Sequence, residues 1–233
     1  SVLDWNGLII AALTAAAGVF DRADWLALAR SAFAFITKAL GTENGQLHHS
    51  WRGRAQHRAI LDDYANMARA ALALFEATGE AAYLEQARNW VGIAIERYWD
   101  PQGGFFFTTA DAELLIARAK NALDQPNPSG NGTLAAVLAR LYYLTGEEDY
   151  RRRAQATLDA FGGEVMRYSC AHATLLNAAE LLAKAVQIVV IGRRGEAETD
   201  ALLRAVFAQN LPNRVLTVVT PGTALPPLHP AHG

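Results

Sequence analysis

The feature that most constrains the fold of this chain is a repeated helical-hairpin pattern. Each copy has a helix rich in alanine and leucine, a short turn, an aromatic residue near the start of the next helix, and an alanine four residues later. Apolar positions recur at steps of three and four, so each helix has one face for the core. The copies occupy 11–36, 71–95 and 137–161, and their aromatic and alanine pairs are Trp25 and Ala29, Tyr83 and Ala87, and Tyr150 and Ala154.

The connections between these helices favour hairpins standing side by side. Short turns alternate with long loops, whereas a helical bundle, the alternative interpretation, usually joins its helices by short loops. We therefore predict a mainly α fold, an incomplete (α/α) toroid, because three hairpins and one more helix supply only part of a closed ring. The predicted helices lie near 5–19, 22–40, 61–78, 80–98, 130–145, 147–162 and 170–185.

The sequence changes character after Lys184. Residues 186–192 and 214–220 are β-branched apolar runs, and a helical pattern lies between them. A strand, a crossover helix and a second strand form a βαβ unit, which implies a parallel pair. We predict a toroid fragment at 1–185, a small C-terminal βαβ appendage at 186–220, and a Pro-rich tail without regular structure at 221–233.

The composition argues against several classes of partner and against a cysteine-based metal site. The formal net charge is −2 with 19% charged residues, which supplies no general attraction for nucleic acid or an anionic membrane. No apolar run reaches the roughly 18 to 20 residues that span a bilayer. The single cysteine, Cys170, excludes an intrachain disulfide and a multi-cysteine metal site. We expect a soluble, cytoplasmic protein without nucleic-acid or membrane partners, in which Cys170 is a buried structural thiol.

Polar clusters stand at the predicted N-termini of alternate helices. If these helices form the inner ring, their N-termini converge on one mouth, where unpaired N–H groups and a partial positive charge favour acceptor-rich ligands. The alternative is that Asp, Ser and Asn at these positions only cap the helices. The clusters are Asp4-Trp5-Asn6-Gly7, Asp62-Asp63-Tyr64-Ala65, Pro128-Ser129-Gly130-Asn131-Gly132 and Ser169-Cys170-Ala171-His172.

The two adjacent aspartates cannot both face the mouth, because neighbours on a helix point about 100° apart. We predict that one caps the helix and that Asp63 is the inward carboxylate, the candidate catalytic acid or base. A carboxylate pair would take its second member from Asp124 or Asp4. The predicted substrate-binding wall consists of Trp5, Asn6, Tyr64, Arg118, Lys120, Asp124, Ser129 and Asn131.

Two other side-chain groups are interpreted as non-catalytic. His48, His49 and His57 lie in a segment read as a flexible surface loop, where no spaced carboxylate completes a metal site. We therefore expect no metal and no cofactor. Phe105 and Phe107 are expected to cover the end of the helical core rather than to stack on a sugar ring.

Six motifs in order along the chain resemble the C-terminal helical region of the thioredoxin-domain-containing, spermatogenesis-associated family. The resemblance implies an incomplete toroid like those of six-hairpin glycosidases and N-acylglucosamine 2-epimerases. The family tends to an acidic residue at Asn121 and to glycine at Gln125, and these departures weaken a catalytic role for that loop. The motifs are WNGL at 5–8, LDDYA at 61–65, GGFFFT at 103–108, RAKNALDQPNPSGNG at 118–132, QIVVIG at 187–192 and LPNRVLTVV at 211–219.

The resemblance also implies that this chain lacks the family's N-terminal thioredoxin-like domain and the opening hairpins, so redox activity does not transfer to it. The leading functional prediction is a carbohydrate-active or carbohydrate-binding domain that takes a sugar-like small molecule and acts as a hydrolase if it is catalytic. An epimerase would need two opposed bases, which we cannot place. The alternative is an interaction module whose open edge docks the missing thioredoxin-like domain, or self-associates.

Overall fold

The computed structural model describes residues 1–111 and 117–223. Its helices are α1 (Leu3–Val19), α2 (Ala23–Leu40), α3 (Leu61–Thr78), α4 (Ala81–Tyr98), α5 (Gly130–Thr145), α6 (Glu148–Arg167), α7 (Ala173–Lys184) and α8 (Ala197–Phe207). Its strands are β1 (His48–Trp51), β2 (Ala55–Arg58), β3 (Val186–Ile191) and β4 (Arg214–Val219). All seven predicted toroid helices are present, and most of the tail predicted at 221–233 lies outside the described residues.

The helices form two layers of an arc. Helices α1, α3, α5 and α7 pack against one another in that order, and α2, α4 and α6 each pack on the helix that precedes them. This arrangement confirms the mainly α, incomplete (α/α) toroid. Helix α3 lies between α1 and α5 and is largely buried, because small alanines on several faces, such as Ala65, Ala68 and Ala71, let its neighbours approach.

Glycines mark both the closest helix contacts and the short turns. A Cβ on Gly7 would lie 2.7 Å from the carbonyl carbon of Asn66, so α1 and α3 meet backbone to backbone there. Gly79 and Gly146 follow α3 and α5 with φ values of 75° and 74°, the left-handed geometry that ends a helix. The repeated turns of the sequence pattern are therefore glycine C-caps in the second and third hairpins.

A small β-hairpin, β1 and β2, lies over one end of the arc. The strands are antiparallel, Ser50 pairs with Gln56, and Gly53 supplies a turn residue with φ of 70°. The interpretation of this segment as a flexible loop is wrong. Four-residue strands are too short to show an alternating pattern, so the sequence carries little signal for them.

The predicted βαβ unit is confirmed. β3 pairs in parallel with β4 from Val186 opposite Arg214 to Ile191 opposite Val219, and α8 is the crossover. Arg194 ties the unit to the hairpins, since its guanidinium donates to the carbonyl oxygens of Ala77 at 2.8 Å and Glu76 at 2.6 Å. These are C-terminal carbonyls of α3, which have no partner within the helix.

No helix in residues 1–111 and 117–223 is long and apolar enough to cross a membrane. Cys170 is exposed. The prediction of a buried thiol is therefore wrong, because this cysteine lies in a short 3-10 helix, Ser169–His172, at the edge of the arc.

Candidate functional site

The N-terminal ends of α1, α3 and α5 converge on a cleft of about 500 Å³. One wall is the segment from Ala119 to Ser129, which returns the chain to α5, and the opposite wall is the first turns of α1 and α3. The cleft is lined by Trp5, Asp62, Phe107, Ala119, Asn121, Leu123, Gln125, Pro126, Asn127, Pro128, Ser129 and Gly130. Three of the four predicted polar clusters contribute residues to this cleft, which we call the mouth, and the cluster at Ser169–His172 does not.

Asp62 is the carboxylate that lines the cleft, and it is half-buried. Burial, followed by the negative charges of Asp4 and Asp63, raises the pKa of Asp62 to about 6, while a hydrogen bond from the Gly130 backbone opposes the shift. A Cβ on Gly130 would collide with the carboxylate of Asp62. The glycine therefore lets the acid rest directly against the N-terminus of α5.

Asp63, by contrast, is completely buried. Its Oδ1 accepts a hydrogen bond from the backbone N–H of Asp4 at 3.0 Å, and its Oδ2 accepts one from the N–H of Ile60 at 2.9 Å. The prediction that Asp63 is the inward carboxylate is wrong in orientation. Asp63 is the third residue of α3, where a side chain reaches back to the helix start, so Asp62 is left to face the cleft.

His49 on β1 completes the contacts of Asp63. Its Nδ1 lies 2.9 Å from Oδ2 of Asp63, and its side chain is 29% exposed. The hydrogen bond to Asp63 raises the pKa of His49, whereas burial raises the pKa of Asp63 and the donors His49 and Ile60 oppose that rise. The contact with Asp63 therefore favours the charged form of His49, to which the nearby carboxylates Asp4 and Asp62 also contribute.

Of the other predicted wall residues in the first two clusters, one lines the cleft and two bond to neighbouring parts of the chain. Trp5 lines the cleft and is 58% exposed. Asn6 instead donates from Nδ2 to Ser1 Oγ and to the Val2 carbonyl, at 2.7 and 2.6 Å. Tyr64 is buried, and its hydroxyl accepts from the backbone N–H of Leu47 at 3.1 Å. Neither Asn6 nor Tyr64 lines the cleft.

Arg118 and Lys120 hold the loop that forms the cleft wall. Arg118 donates to the Thr108 carbonyl at 2.6 Å, and its guanidinium lies 4.0 Å from the ring centre of Phe106. Lys120 Nζ lies 2.7 Å from an oxygen of Asp100. Both cations are engaged by the protein itself, so their roles in the structure are positional.

Asp124 connects two helix N-termini. Its Oδ1 accepts from the backbone N–H of Ser129 at 2.9 Å, and its Oδ2 accepts from the N–H of Thr174 at 2.8 Å. It therefore joins the start of α5 to the start of α7 and is not paired with Asp62 across the cleft. Ser129 caps α5 by accepting from the N–H of Gly132 at 3.2 Å, and it also lines the cleft.

Asn131 fixes the aromatic segment beside the cleft. Its Oδ1 accepts from the N–H of Phe105 at 2.7 Å, while its Nδ2 donates to the carbonyls of Phe105 and Asn121, each at 2.9 Å. Phe105 is buried, as predicted for a residue covering the core. Phe107 is 40% exposed and lines the cleft, so the same prediction is wrong for it.

The sequence reasoning missed Asp62, His49 and Phe107. A signal for Asp62 was present, because the buried Leu61 begins the helix and the third helical position commonly carries the residue that bonds back to the cap. No local signal marked His49, whose role depends on a strand packing against α3. Within the part of the chain that the structure describes, no group of three or more His, Cys, Asp or Glu side chains could hold a metal ion.

Comparison with known sequences confirms the family resemblance. No family model matches the chain. Spermatogenesis-associated protein 20 from Homo sapiens is 30% identical over 226 residues, which cover 91% of this chain and 29% of the human protein. The chain is homologous to one segment of that protein. The Rattus norvegicus protein is also 30% identical, and the chain spans 28% of its length.

Solved structures share the fold. A glycoside hydrolase family 76 α-mannanase from Bacteroides thetaiotaomicron matches with a TM-score of 0.61 and 15% identity, over 89% of this chain and 56% of the enzyme. Cellobiose 2-epimerase from Bacillus thermoamylovorans matches with a TM-score of 0.58 and 14% identity, over 69% of this chain and 44% of that chain. An α-1,6-mannanase from Salegentibacter, in complex with α-1,6-mannotriose, matches with a TM-score of 0.57 and 16% identity, over 68% of this chain and 46% of the mannanase. This chain therefore shares the (α/α)-toroid fold with these glycoside hydrolases and this epimerase.

Proposed function

We propose that this chain is a carbohydrate-binding or carbohydrate-active toroid domain whose ligand enters the cleft at the N-termini of the inner helices. In this proposal Asp62 is the carboxylate that contacts the ligand. Asp63, the next residue of α3, is buried and fixes the first turn of the helix, which carries Asp62. Trp5 and Phe107 offer exposed aromatic surface to a sugar ring. The observation that carries the proposal is that Asp62, a carboxylate whose pKa is raised to about 6, lines this cleft.

The chemistry of Asp62 suits a general acid. A carboxyl group with a pKa near 6 remains partly protonated close to neutral pH, and it can donate a proton to a leaving oxygen. Glycoside hydrolysis also needs a second carboxylate. Asp63 accepts from three donors and Asp124 from two, while Asp4 is buried and accepts from the backbone N–H of Trp5, so within residues 1–111 and 117–223 none of these three is free to act as that second acid. Simple binding needs no second acid and is therefore the minimal form of the proposal.

One related structure supports the choice of the aspartate pair. The mannotriose complex from Salegentibacter was obtained with an inactive variant in which two consecutive aspartates are replaced by asparagine. This chain also carries two consecutive aspartates at the start of an inner helix. The shared feature supports a carbohydrate role for the mouth, with mannose-containing oligosaccharides as the first ligands to test.

The proposal is tested by ligand binding to Asp62→Asn and Trp5→Ala. We expect α-1,6-mannotriose to bind the unaltered protein in isothermal titration calorimetry, and we expect each change to weaken binding at least tenfold. The charged-to-amide change removes a strong hydrogen-bonding partner, and the alanine removes the stacking surface. Asp24→Asn, at an exposed position on α2, is the matched control.

Unchanged affinity in both variants would remove the mouth from the proposal. A panel of neutral mannosides, glucosides and cellobiose that produces no heat with the unaltered protein would contradict it at the level of ligand class. Release of reducing sugar over time separates turnover from binding.

A second candidate function is an interaction module, and the surface of α1 favours it. Large apolar side chains are exposed along this helix, including Ile9 at 64%, Val19 at 55% and the following Phe20 at 66%. Contiguous exposed apolar surface commonly marks an interface. The candidate partners are the family's thioredoxin-like domain or a second copy of this chain.

Self-association through α1 predicts a concentration-dependent dimer that Ile9→Lys disrupts. A lysine at the centre of a buried apolar interface places an unpaired charge there and weakens association strongly. Light scattering after size exclusion measures the mass. The control is Glu43→Lys, an exposed position away from α1. A monomer at every concentration, with no change in Ile9→Lys, excludes the self-associating form of this candidate.

A further inference from the structure

A second cleft, of about 420 Å³, lies between α3, α5, α7 and the loop that leads into β4. It is separate from the mouth, although Pro128 borders both. The residues that matter for its chemistry are Arg69, Thr133, Arg140, Asn177, Glu180 and Asn213. Two arginines, a hydroxyl and two amides facing one space form a donor-rich surface.

Arg69 provides the first observation. It lies in α3 two turns after Asp62, and its guanidinium forms no hydrogen bond or ion pair with any side chain or backbone group in residues 1–111 and 117–223. Partial burial of the guanidinium, and then the charge of Arg140, lower the pKa of Arg69, although the residue as a whole is exposed. The guanidinium is therefore accessible to a ligand, and a bound anion would offset the like charge of Arg140.

Arg140 and Thr133 provide independent observations. Nη1 of Arg140 is fixed by Glu76 Oε1 at 2.8 Å and by the Arg214 carbonyl at 2.7 Å, and its other nitrogens have no partner in the described chain. Thr133 is 2% exposed. Its hydroxyl also lacks a hydrogen-bond partner in that part of the protein. A buried hydroxyl without a protein partner on the wall of a cleft can hydrogen-bond to a ligand there.

Charges of both signs surround this cleft, and Glu76 interacts with both Arg140 and Arg214. Glu76 neutralises Arg140 from the base of the arc, and Glu180 on α7 is exposed at the cleft wall. Arg69 and the unused nitrogens of Arg140 remain for a ligand. Asn177 and Asn213 add amide donors that suit oxygen acceptors.

We propose that this cleft is an oxyanion subsite, which binds a phosphate or carboxylate group through Arg69, Arg140 and the hydroxyl of Thr133. The proposal goes beyond a carbohydrate site at the mouth, because a neutral sugar held by Asp62 and Trp5 needs no cation. Guanidinium groups match the geometry of both oxyanions. The ligand class is a small phosphorylated or carboxylated molecule.

The test uses inorganic phosphate, glucose 6-phosphate and glucuronate at constant ionic strength, with sodium chloride as the balancing salt. We expect at least one of the three to raise the melting temperature of the unaltered protein and to give saturable heat in calorimetry. Arg69→Gln is expected to weaken that binding at least tenfold. The two organic ligands distinguish a phosphate from a carboxylate source.

Two further variants keep the result interpretable. Thr133→Val removes a hydroxyl that has no partner among the described residues, so we expect unchanged or higher stability together with binding weakened several-fold. Arg54→Gln, on the exposed β1 to β2 turn, makes the same charge change and should bind normally.

The proposal is overturned if none of the three anions binds, if Arg69→Gln binds as tightly as the unaltered protein, or if Arg54→Gln loses as much affinity as Arg69→Gln. Mannotriose binding to Arg69→Gln is measured in parallel. Loss of anion binding with intact mannotriose binding separates this cleft from the mouth, and failure of mannotriose alone contradicts only the carbohydrate proposal.

Discussion

Asp63→Ala is expected to lower the free energy of unfolding by about 3 to 5 kcal/mol, since it breaks a buried charged pair. Asp63 is fully buried and accepts hydrogen bonds from the backbone of Asp4 and Ile60 and from His49. The alanine leaves these donors without acceptors at the point where α1, α3 and β1 meet. Chemical denaturation followed by circular dichroism measures the loss.

The matched control for this change is Asp159→Ala, at an exposed position on α6 where the carboxylate accepts a hydrogen bond from Gln155. We expect a change within about 0.5 kcal/mol there. Asp63→Asn keeps one acceptor oxygen but turns an amide toward N–H donors, so it should fall between the two. An Asp63→Ala protein as stable as the Asp159→Ala protein would show that these hydrogen bonds do not hold the mouth together.

Asp62→Asn is expected to have the opposite effect on stability, and the effect depends on pH. The pKa of Asp62 is about 6 in the folded protein, compared with an ordinary value of 3.8 for an aspartate. Because the folded state binds the proton more tightly, the contribution of Asp62 to stability is fully present below pH 3.8 and is lost as pH rises through 6. Asparagine removes that loss, so the variant should be more stable than the unaltered protein by about 1 to 3 kcal/mol at pH 8.

At pH 4 the difference between Asp62→Asn and the unaltered protein should nearly disappear, because Asp62 is then protonated in the folded state. Urea unfolding at pH 4, 6 and 8 measures the difference. If the difference in unfolding free energy between Asp62→Asn and the unaltered protein is the same at all three pH values, the raised pKa of Asp62 is contradicted. A gain in stability combined with loss of ligand binding is the pattern expected of a residue kept for function.

The helices were predictable because their information is local. Periodic apolar positions identify the faces of α3 and α4, and the glycines after α3 and α5 end those helices by their backbone geometry. The parallel strands β3 and β4 were also readable, since each is a continuous β-branched run on either side of a helical pattern. Spacing of the hairpins was sufficient to predict the toroid.

The details of the site depend on contacts between distant segments and were less predictable. The sequence placed Asp63 in the cavity, but β1 and the start of α1 converge on it and bury it. His49 pairs with Asp63 only because a four-residue strand packs at that position. Arg118, Lys120 and Asn131 were predicted as wall residues, but they do not line the cleft, and they donate to the backbone of neighbouring loops.

The anchor made by Arg194 also bears on the order of folding. Its bond to Ala77 joins groups separated by 117 residues, whereas each helical hairpin packs through residues close together in sequence. Contacts of low sequence separation form early, and distant ones wait for their closing segments. The arc can therefore assemble hairpin by hairpin during synthesis, with the mouth complete before the strands at its base arrive. Until then the end of α3 has exposed carbonyls, which makes it the late-folding, least protected part of the helix.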